Sequence, residues 1–151
     1  LRAARTARFD REAIAAKFFL KIMSRYEHLG IYQACYTSIR EIYRIKLKLP
    51  ASLKHDLGAQ TFASSLRCLR CVIFANGSQR KMRPLQELLL EIESLRTYTR
   101  LLYDLRGISH GEFQVLSERL REIATQANAW HQWERERVRK SESKVGKKET
   151  V

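Results

Sequence analysis

The sequence predicts an all-α protein, an up-down-up-down bundle of four helices. Three observations carry that reading. Apolar residues recur at spacings of three and four in four successive stretches, which is the period of a half-buried helix. Breakers at Pro50, at Asn76-Gly77-Ser78 and at Gly107 separate the stretches by short turns. No segment alternates polar and apolar with the period of a strand. A chain of 151 residues is long enough for one domain with a real core.

Residues 1–25 read as a basic amphipathic extension. Arg2, Arg5, Arg8, Arg11, Lys17, Lys21 and Arg25 face only Asp10 and Glu12, and Ile14, Phe18, Phe19 and Ile22 share a side. Asp10 is placed to cap that helix. Met23 stands where the regular pattern begins, so the extension is either a native arm or a product of start-site choice. The bundle is expected over residues 26–137. In its first helix Tyr32, Cys35, Tyr36, Ile39, Ile42 and Tyr43 make the inner face. Gly30 marks a break or kink near its start, and Pro50 ends it by pushing Leu49 out of helical geometry.

A loop over residues 51–56 leads to a second helix near Leu57–Ala75. Its expected core stripe is Phe62, Leu66, Leu69 and Ile73, with the small residues Cys68, Cys71, Val72 and Ala75 behind. Asn76-Gly77-Ser78 reads as a helix stop and a new cap. The third helix, from Arg80 to Arg106, organises the bundle. Leu85, Leu88, Leu89, Ile92, Leu95, Thr99, Leu102 and Tyr103 form one stripe. Leu90, Tyr98, Leu101 and Leu105 form a second on the far side, so this helix needs something to pack against besides its own bundle.

Gly107 closes the third helix, and Ser109-His110-Gly111-Glu112 fits a capping box that opens the fourth. The fourth buries Phe113, Leu116, Leu120, Ile123, Ala127 and Trp130. Apolar periodicity then stops. From Glu134 the chain reads as a fraying helix end, with a basic disordered tail over residues 138–151.

Charge narrows the function. Lys plus Arg outnumber Asp plus Glu by 29 to 16, a net +13, which argues for a polyanionic partner, nucleic acid before membrane. No apolar run approaches a membrane span. Arg96 and Arg100, one turn apart, either snorkel beside the core stripe or form a paired site for phosphate or carboxylate. Arg80, Lys81 and Arg83 make a second cluster at the start of the third helix, where the dipole disfavours cations; these three, with Arg96 and Arg100 and with Arg67 and Arg70 of the second helix, are the expected RNA- and polymerase-binding residues. No run of interleaved exposed aromatics is apparent, so little base specificity is expected.

Catalytic and metal chemistry find no foothold in the pattern. His28, His55, His110 and His131 are scattered, His131 reading as a helix-end residue against Trp130 or Trp133. Cys68 and Cys71 form a CxxC without a second pair, and read as packed thiols. An odd cysteine count and no secretory leader point to a reducing cytoplasm. The expectation is a protein that is not an enzyme, with no cofactor and no metal.

The spacing of Tyr32, Ile39, Ile42 and Tyr43, then Leu49-Pro50 and Leu57-Gly58, resembles the four-helix-bundle proteins related to ribosomal RNA intervening-sequence proteins. The closer likeness is to the accessory variability determinant (Avd) of diversity-generating retroelements, through Leu95, Arg96 and Arg100, the Gly107 turn and Trp130. The resemblance covers about Ser24 to Arg137; the N-terminal extension departs from it. It implies a homopentameric barrel without a catalytic centre, which binds the element's reverse transcriptase and template RNA and supports mutagenic complementary-DNA synthesis. It also implies partner binding at Arg96 and Arg100. A general RNA- or ribosome-associated bundle, without a polymerase, is the alternative.

Overall fold

A computed structural model describes residues 29–146. The extension expected over residues 1–25, and the end of the expected tail, lie outside the described residues. Within them the chain forms α1 (Gly30–Lys48), a single turn α2 (Ala51–Lys54), α3 (Leu57–Gly77), α4 (Met82–Asp104) and α5 (His110–Gly146). Each long helix packs on the next, and α1 closes the ring against α5. This is the four-helix bundle the periodicity predicts.

The core follows the expected pattern best in α4. Leu85, Leu88, Ile92, Leu95, Thr99 and Leu102 are all buried, and Leu89 and Tyr103 flank them. Leu116, Leu120, Ile123 and Ala127 of α5 meet them, with Phe113 and Trp130 partly buried at the ends of that stripe. Truncating one such leucine to alanine leaves a cavity that costs about 2–5 kcal/mol.

Two inner faces differ from expectation. On α1 the buried set is Ile31, Cys35, Ser38, Ile42 and Ile45, while Tyr36 and Tyr43 point outward. A tyrosine counts as apolar in a periodicity, yet its hydroxyl favours a wet position. On α3 the expected faces exchange places. Thr61, Ser64, Ser65, Cys68, Val72 and Ala75 are inside, Leu66 is exposed, and Phe62 and Leu69 only border the core. Small residues let α3 approach its two neighbours closely, and the hydroxyls are satisfied locally: Thr61 donates to Leu57 O at 2.7 Å and Ser65 to Phe62 O at 2.6 Å.

The turns show how the ends are fixed. Leu49 leaves helical geometry before Pro50, as expected, but the following loop contains the helical turn α2, with Leu53 and Lys54 N–H groups bonded to Pro50 O. Asp56 caps α3 through the Leu57 N–H. Ser78 closes α3 and turns the chain through Arg80, but it is not the cap of α4; Lys81 stands at that position.

At the far end of α4 it is Arg106, not Gly107, that adopts the left-handed conformation, with φ 57°. The N–H of Gly107 bonds to Leu102 O and that of Arg106 to Tyr103 O, a Schellman closure. Gly107 matters for room: a Cβ there would lie 2.8 Å from Leu53 Cδ1 and 3.2 Å from Leu102 O. The capping box then forms as predicted, Ser109 N–H donating to Glu112 at 2.8 Å and Glu112 N–H to Ser109 Oγ at 3.2 Å.

The last helix runs beyond the expected boundary, through Arg137 to Gly146. Glu134, where fraying was expected, is fully buried and accepts two hydrogen bonds from Arg137 at 2.8 and 2.7 Å. Arg137 also donates to Gln79 O at 3.2 Å, tying α5 to the α3–α4 turn. A paired, buried carboxylate carries no apolar signal, so periodicity misses it. No helix among the described residues is long and apolar enough to cross a membrane.

Candidate nucleic-acid and partner interface

The cations singled out from sequence fall into three places. Arg67, Arg70 and Arg83 line a groove of about 550 Å³ between α3 and α4, together with Cys71, Phe74 and Leu90. Arg96 and Arg100 line a second, of about 420 Å³, between α4 and α5, where Arg121 joins them. Arg80 and Lys81 lie at the α3–α4 turn, between the helix ends.

Their partners divide them further. Arg67 reaches across the bundle to Glu91 at 2.7 Å, and the same carboxylate accepts from Ser64 at 2.6 Å. Hydrogen bonding to Glu91 pushes the Arg67 pKa up, so it is a permanent cation tying α3 to α4. Lys81 Nζ donates to Ala75 O at 2.8 Å, Asn76 O at 3.3 Å and Ser78 O at 2.7 Å. A cation ill-placed for the start of α4 is thus well placed for the end of α3, where free carbonyls and the dipole favour it. Arg83, Arg96 and Arg100 pair with Glu87, Glu93 and Asp104 on their own helix, at 3.1, 2.9 and 3.0 Å. Such exposed pairs contribute little to stability, being screened by solvent, and exchange readily. Arg70 and Arg80 form no ion pair among the described residues.

The second stripe of α4 does face outward. Leu90 is 70% exposed, Leu105 56% and Leu101 42%, with Tyr98 half-buried between them. Phe74 of α3, 65% exposed, faces the same groove as Leu90 and extends the patch. Phe74 was not anticipated as part of it. The signal was present in its position one turn beyond Arg70, off the stripe of its own helix.

The thiols behave as packed side chains. Burial pushes the Cys35 pKa up to about 12 and raises those of Cys68 and Cys71, so none is a ready nucleophile. All three are free. No group of three or more His, Cys, Asp or Glu among the described residues is arranged to hold a metal ion. The histidine found against a ring is His110 rather than His131: it lies 5.9 Å from the Tyr103 ring, whose hydroxyl is 3.3 Å from His110 Nδ1.

Sequence reasoning missed the outer face of α1. Tyr36 and Tyr43, both 47% exposed, share it with Arg40 and Arg44. The expectation that no interleaved aromatics are exposed is therefore corrected. Ile31, Cys35, Ile42, Ile45 and Leu49 form a more regular inner stripe than the tyrosines do, and that was the available signal.

The bAvd-like family matches residues 29–134, from the residue before α1 to the buried glutamate of α5. The chain belongs to the bAvd-like family. A comparison with curated proteins returned no match. In this bAvd-like chain the matched stretch contains both grooves, the exposed stripe of α4 and the outer face of α1.

Proposed function

We propose that this chain is a non-catalytic, cytoplasmic accessory protein of a diversity-generating retroelement. It binds the element's reverse transcriptase and template RNA and supports mutagenic complementary-DNA synthesis. Membership of the bAvd-like family over the whole bundle is the observation that carries this reading. The physical chemistry of the surface agrees with it. A net charge of +13 suits a polyanion, whose affinity comes from counterions released by phosphate contacts.

The exposed stripe Leu90, Tyr98, Leu101 and Leu105, extended by Phe74, is the subunit seam of a homo-oligomer, a pentameric ring. Contiguous apolar patches of this kind mark interfaces. Arg96 and Arg100, with Arg121, take carboxylates of the polymerase in the α4–α5 groove. They already hold Glu93 and Asp104 through weak exposed pairs, so exchanging one carboxylate for another costs little. Arg70 and Arg80 add positive potential at the α3–α4 end. Arg67, Lys81 and Arg83 contribute charge to the same region from the positions their own partners hold.

The test is complementary-DNA synthesis on template RNA by the reverse transcriptase encoded beside this chain, with and without the protein. Synthesis should need the protein and fail with Arg96→Glu/Arg100→Glu, while circular dichroism and oligomer size stay unchanged. Full synthesis without the protein, or no reverse-transcriptase gene in its neighbourhood, removes the retroelement role and leaves a general RNA-associated bundle.

A further inference from the structure

We infer that the outer face of α1 is the surface on which single-stranded RNA lies, its bases stacking on Tyr36 and Tyr43 and its phosphates meeting Arg40 and Arg44. This rests on the proposed RNA binding and names its site. Tyr36, Arg40, Tyr43 and Leu47 stand four, seven and eleven residues along the helix from the first, so they share one side, with Arg44 at its edge. The side is open: both tyrosines are 47% exposed and Leu47 55%.

Its rings are already ordered. Tyr36 stacks on Tyr32, with centroids 6.3 Å apart and planes at 12°, which fixes one ring face and leaves the tyrosine held at the surface. Tyr43 leans on Phe62 at 5.5 Å, and Lys46 Nζ lies 5.4 Å over the same phenylalanine. Rings held in place before a base arrives lose little freedom when it stacks.

The charge is one-sided. Against Arg40, Arg44, Lys46, Lys48 and Lys54, α1 and α2 carry one carboxylate, Glu41, which sits 3.5 Å from Arg44. The cations of the other candidate surfaces are more fully matched: the α3–α4 groove mixes its three arginines with Glu87 and Glu91, and in the α4–α5 groove Arg96 and Arg100 are paired with Glu93 and Asp104 beside Glu118. A second copy of a chain with net charge +13 is a poor occupant for a face whose cations outnumber its carboxylates. Alternating rings and cations are what a single strand needs, because its base faces and its phosphates are both accessible.

The experiment uses the full chain and a fluorescein-labelled oligouridine, with anisotropy titrations at several salt concentrations. Tyr36→Ala should weaken binding roughly ten-fold, because a base stack is lost, and should leave the salt slope unchanged. Tyr36→Phe keeps the ring and should stay within about two-fold of the parent. Arg40→Gln should lower affinity several-fold and flatten the slope of log K against log salt by about 0.7, one single-strand phosphate contact. Arg135→Gln removes an equal charge from the exposed end of α5 and should change affinity less than about two-fold. Circular dichroism and light scattering confirm that each variant keeps its fold and size.

Equal effects of Arg40→Gln and Arg135→Gln, with none from Tyr36→Ala, would mean that diffuse charge binds the RNA; this site falls and the functional reading stands. Unchanged RNA affinity with a smaller oligomer, or with lost polymerase binding, assigns the face to a protein and also overturns the inference. No oligouridine binding by the parent overturns the inference together with RNA binding itself.

Discussion

Ser64 and Glu91 meet across the α3–α4 interface, the serine hydroxyl 2.6 Å from a carboxylate oxygen whose twin holds Arg67 at 2.7 Å. Ser64 is fully buried, so its small side chain sets how closely the helices approach; its hydroxyl has the carboxylate as its close partner and the Glu91 main-chain oxygen as a longer one, at 3.4 Å. Glu91→Ala should destabilise the bundle by about 0.5–1.5 kcal/mol, mostly by leaving that hydroxyl only its longer bond to the main chain at position 91, since the half-exposed ion pair adds little. Urea denaturation followed by circular dichroism reads the loss. A cost equal to that of Glu93→Ala, whose pair with Arg96 is at the surface, would contradict this account.

Adjacent residues at the end of α4 should respond in opposite directions. Arg106 holds φ 57°, a conformation an L side chain adopts at a cost of about 1 kcal/mol, so Arg106→Gly should stabilise by about that amount. Gly107 has ordinary backbone geometry but no space, so Gly107→Ala should destabilise by about 1–3 kcal/mol as Leu53 and the turn shift. Thermal melts of the two variants decide. Stabilisation by Gly107→Ala would show that the clearance around Leu53 is not limiting.

Acid should loosen the junction of α5 with the α3–α4 turn. Arg137, hydrogen-bonded to Glu134, holds that carboxyl below its ordinary value of 4.5, with the Lys81 main-chain N–H adding to the effect. A folded-state pKa lowered in this way contributes stability that is fully present above the ordinary value and is lost as pH falls through the folded one. Stability should therefore decline below about pH 4.5. In Glu134→Gln that portion of the decline should vanish while stability at neutral pH is lower. Parallel stability–pH curves for the two proteins would contradict the assignment.

Leu101→Glu tests the subunit seam. A charge at the centre of the exposed α4 stripe should reduce the assembly to smaller species with helical content intact, because Leu101 contributes little to the monomer's own core. Light scattering after size-exclusion chromatography reads the mass. A parent that runs as a 17.7 kDa monomer at micromolar concentration removes the oligomer from the proposal.

The bundle was legible in the sequence where large aliphatic residues face one way. Leu85, Leu88, Ile92, Leu95 and Leu102 leave α4 a single inner side, and Ser109 with Glu112 announce the start of α5. It was illegible where small residues do the packing. Thr61, Ser64, Ser65 and Cys68 lie inside because size, not hydropathy, governs close helix approach, and Phe62 and Leu66 are displaced outward. Tyr36 and Tyr43 were read as core for a related reason: a ring at helical spacing has the same weight in a periodicity whichever way it faces. Among the candidate cations, charge and helix position were readable, but the partners were not. Lys81 serves the helix before it and Arg67 the helix after it, relations that depend on how the chain turns at Ser78.

Co-elution of this chain with the proposed partners, a reverse transcriptase encoded beside it and its template RNA, tests the central claim most directly. The account predicts one complex containing all three, carrying more than one copy of the chain, with RNA released as salt rises and the polymerase lost when Arg96 and Arg100 are both glutamate. A well-folded chain that elutes apart from both the polymerase and the RNA at low salt would contradict it.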